Sequence, residues 1–444
     1  MLAPLSNRTY RHLFLALVGS LLGTGLATVA LGLLAYELAG AEAGVVLGTA
    51  LAIKMIAYVG IAPVVGAYAA SLPRRPFLVA LDLVRALVGL SLPFVDQIWQ
   101  VYVLIFVLQA CSAAFTPTFQ ATIPDVLPDE RTYTQALSLS RLAYDLESLV
   151  SPALAALLLT VISFHWLFAG TAIGFVASAL LVVSVTLPGA LAKPSTGGVL
   201  DRTTLGVRRY LATPRLRGLL ALNLAAAAGG AMVIVNTVVV VRAGLGGGDT
   251  DVALALAVFG GGSMAAAFTL PRLLDHVSDR SVILAGGAGL VVVLALFGLM
   301  AAGSTALWWP FHVAWLCLGL CYSAVLTPGG RLLRRSSDEA GRPALFAAQF
   351  ALSHACWLLT YPLSGWLGAT VGLAATLLVL ALVALAGLAI AFAVWPADDR
   401  EILPHMHDDL PDGHPHLAAH AGLGKQHTHA YVIDDLHRRW PRAG

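Results

Sequence analysis

Twelve runs of about 20 mostly apolar residues follow one another along this chain, and each is long enough to cross the roughly 30 Å hydrocarbon core of a bilayer as a helix. Nothing constrains the fold more. Inside lipid every backbone N–H and C=O must be satisfied internally, which leaves helices or closed barrels. These runs are continuous rather than alternating, so helices are expected at 13–36, 44–70, 77–95, 98–121, 136–160 and 165–187, then at 215–241, 251–273, 281–302, 307–328, 343–368 and 371–395. With 58% of its 444 residues hydrophobic and only 11% charged, the chain has too little polar surface for a soluble domain of that size. Arg8 and Arg11 before an apolar run imitate a signal peptide, but that run continues to about Tyr36 and reads as a retained helix.

Basic residues set the orientation. Arg8, Arg11, Arg74, Arg75, Arg131, Arg280, Arg331, Arg334, Arg335 and Arg342 fall on one side with the linker, whereas Arg242 alone stands opposite among Glu37, Glu42, Asp96, Asp249 and Asp251. Both termini are therefore expected in the cytoplasm of a bacterial cell, the chain being a multi-pass protein of the cytoplasmic (inner) membrane. The two halves also repeat. Thr116-Pro117, Asp129-Glu130 and Pro152 return as Thr327-Pro328, Asp338-Glu339 and Pro362, at an offset of about 210 residues. An all-α membrane protein of two pseudo-symmetric six-helix bundles is expected, divided as 1–187, a linker at 188–214, 215–395, and a hydrophilic tail at 396–444. In transporters built from such repeats the substrate site lies near the midplane between them.

Charges inside the apolar runs are the candidates for function, because one at the bilayer centre costs about 2.5–3.5 kcal/mol. Arg141, Asp145 and Glu147 crowd the fifth run. At about 100° per residue Arg141 and Asp145 share a face, while Glu147 points about 160° away from Asp145 and needs a partner elsewhere. Such a carboxylate can exchange a proton for cargo; a packing ion pair is the plainer alternative. Lys54, the one lysine in any span, sits at comparable depth in the second run. Asp82 and Arg85 form a one-turn pair in the third, where a structural role is expected. The second half offers softer groups: Asn223, Asn236, Cys317, Cys321, Gln349, His354 and Cys356. His354 falls opposite Tyr144 in the repeat; its imidazole suits nickel, zinc or copper, or simply packs. Cys317 and Cys321, one turn apart, read as small apolar residues.

The opening LSNRTYRHLFL, the sequence GAYAASLPRR from Gly66 to Arg75, and LLDHVSDR with Asp275, Asp279 and Arg280 together resemble the major facilitator superfamily of transporters. The resemblance spans about residues 5–395. It implies a gating motif at Gly66, Arg74 and Arg75, with Asp279 and Arg280 as its second-half counterpart. Ala70 replaces the motif aspartate, and the fifth-helix antiporter motif survives only from Ser148 to Pro152. An exporter-like body followed by a His-rich tail resembles bacterial nickel-resistance permeases.

That tail holds eight of the thirteen histidines, among them the His-x-His pairs His405/His407, His414/His416 and His427/His429, with His420 and His437. Short His-rich tracts bind metals, and imidazole with the carboxylates of Asp408, Asp409 and Asp412 suits nickel, cobalt or zinc. The spacing matches no ordered four-ligand zinc module, so a solvated tail is the alternative. No phosphate-binding loop or catalytic motif occurs, which argues against an ATP-driven pump or an enzyme. The expectation is a monomeric proton-coupled exporter of a divalent metal ion, nickel first, requiring no cofactor and binding no nucleic acid. An exporter of amphipathic drugs or siderophores and a non-transporting metal-sensing receptor are the alternatives.

Overall fold

A computed structural model describes residues 3–68, 73–187, 199–303, 308–337 and 342–407, and beyond those 411, 416–417, 422–423, 426–434, 436–437 and 439–441. Among them, twelve helices have 18 residues or more: α1 (Arg8–Ala39), α2 (Ala43–Tyr68), α3 (Arg74–Ser91), α4 (Ile98–Val126), α5 (Glu130–Leu158), α6 (His165–Val183), α8 (Pro214–Val239), α9 (Asp249–Leu273), α10 (Asp279–Gly303), α11 (Trp308–Leu326), α13 (Arg342–Thr370) and α14 (Leu373–Val394). Among the described residues ten stretches are long and apolar enough to cross a membrane, and one, Arg8–Ile61, covers α1 and most of α2. The helix starts follow from local chemistry. The Asn7 side chain accepts from Tyr10 N–H at 3.0 Å, Asp129 accepts from Thr132 N–H at 2.9 Å, and Pro214 opens α8 where no N–H is needed.

Within the first half α1 packs on α5 and α6, α2 on α4, and α3 on α4 and α6; in the second, α8 packs on α13 and α14, α9 on α11, and α10 on α11 and α14. Contacts of α8 with α1 and α2 join the halves, and so do two larger ones, α2 with α13 and α5 with α9. Under the repeat α2 corresponds to α9 and α5 to α13, so these are one contact seen twice. Gly40 and Gly246 make the same point: each turns out of the first helix of its half with φ of +55° and +70°, the left-handed region that favours glycine.

Three pieces depart from the sequence-based expectation. The linker contains a helix, α7 (Val199–Ala212), whose Gly206 lies so close to α13 that a Cβ there would sit 2.3 Å from the Ala344 carbonyl oxygen. Tyr210 of α7 also donates a hydrogen bond to Gln349. A short helix, α12 (Gly329–Arg335), continues α11 past Pro328. The tail is not simply solvated: β1 (Ile402–Met406), β3 (Gln426–Ala430) and β2 (Gly422–Leu423) form a small antiparallel sheet in the order β1-β3-β2, with His405 opposite His427. The His-x-His spacing has the two-residue period of a strand, which places both rings of a pair on one face.

Candidate functional site

Helix direction alternates along the chain, so the termini, linker and starts of α1, α3, α5, α8, α10 and α13 share one side, called here the termini side. Between the halves, near the middle of the bundle, α2 presents Lys54 and Tyr58, α5 presents Tyr144 and Glu147, and α13 presents Phe350 and His354. The Tyr58 ring stacks on His354 with centroids 5.6 Å apart and planes 4° from parallel, and lies 6.1 Å from Phe350. Phe350 and His354, one turn apart, are 4.0 Å apart, and His354 Nδ1 donates to the Phe350 carbonyl at 2.7 Å. That bond leaves Nε2 as an acceptor. Lys54 Nζ stands 5.8 Å from the Tyr58 centroid, and its charge acts on both Glu147 and His354. Glu147 lies against α1 where Gly25 leaves room: a Cβ at Gly25 would be 2.8 Å from Glu147 Oε1 and 2.2 Å from Ser151 Oγ. One lysine, one carboxylate and one imidazole from three helices thus share a wall with three aromatic rings, those of Tyr58, Tyr144 and Phe350.

The aromatic wall continues along α13. Trp357 stands 4.8 Å from Tyr361 and 6.1 Å from Tyr322 of α11, which is 5.6 Å from Phe259 of α9. Positions 350, 354, 357 and 361 recur at four, three and four residues, the spacing of one helix face. Aromatic residues make up only 8% of the chain, and these gather on one face.

On the far side α2 and α13 meet backbone to backbone at glycines. A Cβ on Gly48 would sit 2.6 Å from the Tyr361 carbonyl oxygen, and one on Gly365 would sit 2.1 Å from the Gly44 carbonyl oxygen. Asn236 of α8 reaches into the same junction: its amide donates to Ser364 Oγ at 2.7 Å, and its Oδ1 would be 2.4 Å from a Cβ on Gly368. Lipid offers no hydrophobic drive for helix association, so backbones brought together over small residues do that work.

Ion pairs gather on the termini side. Arg74, buried, pairs with Asp125 at the end of α4, while Arg75 donates to the Val183 carbonyl. In the second half Asp279, also buried, receives Arg335 at 2.9 Å and Arg331 at 3.3 Å, and Arg280 donates to the Trp395 carbonyl at 3.2 Å. The replacement at position 70, outside the described residues, therefore leaves Arg74 a partner: Asp125. Asp82 and Arg85 form a buried pair inside the first half, with Ser178 donating to Asp82 at 2.7 Å and Arg85 donating to Ser20 at 3.1 Å. The guanidinium is sandwiched between Phe115 and Phe175, 4.3 and 4.5 Å from their centroids.

Imidazoles converge in the tail. Nε2 of His437 lies 3.1 Å from Nε2 of His405 and 3.0 Å from Nε2 of His407, and Nε2 of His416 lies 3.0 Å from Nε2 of His427. Two overlapping groups, His405/His407/His416/His437 and His405/His416/His427/His429, each bring four ligand atoms within 4.8 Å of one another. Burial and the neighbouring rings push His405 and His416 down to about 4. Burial works to raise the Asp434 carboxyl, but hydrogen bonds from the His437 ring and backbone outweigh it and hold the group at about 2.

Of the residues singled out in the sequence, Lys54, Glu147 and His354 come together between the halves. Arg141 and Asp145 lie on α5 with side chains outside the described set, as do the side chains around Gly66 at the end of α2. Asn223 is buried in α8, and neither end of its amide finds a hydrogen bond among the described residues. His405, His407, His416, His427 and His429 cluster; His414 and His420 lie outside the described residues, and His437 joins the cluster. Among the described residues both groups able to hold an ion are in the tail, and His354, Cys317, Cys321 and Cys356 belong to neither. The glycine junction was missed, and Asn236, though singled out, was not placed in it. A Gly-x-x-x-Gly spacing at Gly44 and Gly48 was the available signal.

The sequence profile of the Major Facilitator Superfamily matches residues 13–309 and 219–405. An uncharacterised transporter of that type from Bacillus subtilis, YfiS, is 28% identical over 134 residues, 30% of this chain and 32% of the relative. Macrolide efflux protein A of Enterococcus faecalis is 26% identical over 152 residues, 32% of this chain and 47% of the relative. The chain thus spans less than half the length of the curated relatives it matches. Among solved structures, the nucleoside transporter NupG superposes with a TM-score of 0.67 at 14% identity, covering 87% of this chain and 98% of that one. An inward-facing, unoccupied bacterial homologue of the lysosomal transporter Spinster gives 0.67 at 11% identity, covering 87% and 96%.

Proposed function

The chain belongs to the Major Facilitator Superfamily, and on that premise we propose that it is a proton-coupled exporter of an amphipathic organic molecule. The observation that carries this reading is the placement of Lys54, Glu147 and His354 in an aromatic wall between the two halves. A flat ring system can stack on Tyr58, Phe350 and Trp357 while a basic nitrogen meets Glu147. Lys54 competes for the same carboxylate. Proton and cargo then exclude each other at Glu147, which is the requirement for antiport.

Orientation follows from the arginines: the termini side is cytoplasmic and the glycine junction seals the outer side. A closed outer junction supports reading this arrangement as inward-facing, with loading from the cytoplasm. Rocking of the halves about α2–α13 and α5–α9 would part Gly48 from Tyr361 and open the outer side. Efflux by the macrolide relatives accords with this direction.

A second reading keeps a divalent metal ion, nickel first, as cargo. The tail imidazoles favour it. The absence of an ion-holding group among the described membrane residues ranks it below the organic cargo. Everted vesicles carrying the protein and an imposed proton gradient separate the two. A hydrophobic organic cation should dissipate the gradient and Ni2+ should not. Dissipation by Ni2+ alone would overturn the organic reading in favour of the metal one.

A further inference from the structure

The His cluster has a feature that hydrogen bonding among neutral rings does not satisfy. His437 Nδ1 stands 2.9 Å from Asp434 Oδ1, and an ionised carboxylate only accepts, so the ring proton is on Nδ1 and Nε2 carries a lone pair. His405 Nδ1 stands 3.0 Å from the Leu403 carbonyl oxygen, which fixes the same tautomer. These two Nε2 atoms nevertheless face each other at 3.1 Å, and His407 Nε2 meets the His437 atom at 3.0 Å. Lone pairs held that close call for a cation between them. Three nitrogens converging on one point describe a coordination shell. Zinc–nitrogen bonds of about 2.0–2.1 Å in a tetrahedron give nitrogen–nitrogen edges of about 3.3 Å, close to those seen.

The surroundings fit an ion site. Asp434 orients His437 as an outer partner and is itself fixed by N–H donors from Leu436 at 2.8 Å and His437 at 2.7 Å. His405 on β1, and His427 and His429 on the neighbouring β3, lie on one face of the sheet, and His407 follows directly after β1. Both overlapping groups need His405, whose Nδ1 is already engaged, so one ion per chain uses its Nε2. Nitrogen ligands with a carboxylate behind them, and no cysteine beyond Cys356, select the zinc, nickel and cobalt class over soft ions.

The cluster is also tied to the transport body. Immediately before β1, Glu401 pairs with Arg335, and Asp399 reaches Arg335 at 3.8 Å and Arg215 at 3.4 Å. Tyr431, whose ring is 4.8 Å from His405, donates its N–H to the Glu401 carbonyl at 2.8 Å. Trp440 covers the Arg215 guanidinium at 5.1 Å. Arg335 is the same residue that neutralises Asp279 at the head of α10.

We propose that the C-terminal segment is a folded site for one divalent ion of the zinc, nickel and cobalt class, held by His405, His407, His416 and His437, and that the filled site braces Asp399 and Glu401 against Arg215 and Arg335. The ion is a regulator of the termini-side closure rather than cargo, and the proposal does not rest on the nature of the cargo. The test uses the full-length protein in detergent micelles, stripped with a chelator and titrated with Zn2+ alone. One ion per chain is expected, with affinity at least tenfold weaker in His405→Ala and His437→Ala. Asp434→Asn, which leaves every ring in place, should weaken binding by about 10–100-fold. Hydrogen exchange at 329–337 should slow at least tenfold on adding Zn2+ to wild type and remain unchanged in Asp434→Asn at the same ion concentration. No bound ion, or wild-type affinity in all three variants, overturns the site. A bound ion with unaltered exchange at 329–337 overturns the brace.

Discussion

Arg74 and Asp279 open corresponding helices of the two halves with opposite charges, and each is neutralised from the end of the next helix. Arg74 is met by Asp125, and Asp279 by Arg335 and Arg331. The latch is the same in both repeats with its signs exchanged.

The two latches differ in redundancy, and stability should show it. Removing Asp125 leaves a buried guanidinium without its anion, at a cost of about 1–3 kcal/mol. Arg331 shares Asp279 with the closer Arg335, so Arg331→Ala should cost less than about 1 kcal/mol. Thermal unfolding in detergent should therefore rank Asp125→Ala well below Arg331→Ala. The reverse order would refute the assignment of partners.

Asp82 and Arg85 are fully enclosed by Ser20, Ser178 and two phenylalanines. Asp82→Ala should destabilise the first half by about 3–5 kcal/mol, because an unpaired charge remains. The double replacement Asp82→Leu with Arg85→Met should recover most of that loss. Comparing the three proteins by the fraction remaining folded after heating checks both statements.

The glycine junction predicts a conformational effect rather than a folding defect. Gly48→Val or Gly365→Val should hold α2 off α13 and populate an outward-open form. Spin-label distances between the outer ends of α2 and α13 should lengthen by several ångströms in the variants. Unchanged distances would remove the junction from the gating cycle.

Glu147→Gln should abolish proton-coupled flux in proteoliposomes while leaving cargo binding within about tenfold. Lys54→Met should instead tighten cargo binding and slow release, since the competitor for Glu147 is gone. Wild-type flux in Glu147→Gln would place coupling on another residue.

Much of this molecule could be read from its residues. Apolar run length located the helices almost to their ends because backbone satisfaction in lipid leaves no cheaper solution. Glu147 and Lys54 stood out because charge is rare at that depth. Which residues would face them could not be read, since Tyr58 and His354 belong to different halves and are joined only by tertiary packing. Glycine contacts escaped for another reason: the signal is an absence of side chain, and forty-three glycines offer too many candidates. In the tail the two-residue period of His405/His407 and His427/His429 was in plain view and pointed to metal, but the pairing of β1 with β3 that gathers the rings is a tertiary contact that local residues do not announce.

Closure over bare glycines has a kinetic meaning. A junction built from leucines or lysines would freeze rotamers each time it shut, at about 0.5–2 kcal/mol per side chain, and release them each time it opened. At Gly44, Gly48, Gly365 and Gly368 there are no rotamers to freeze. Each turnover can make and break this seal with little entropy at stake, so the two faces can stay nearly balanced in energy and a single proton can tip them.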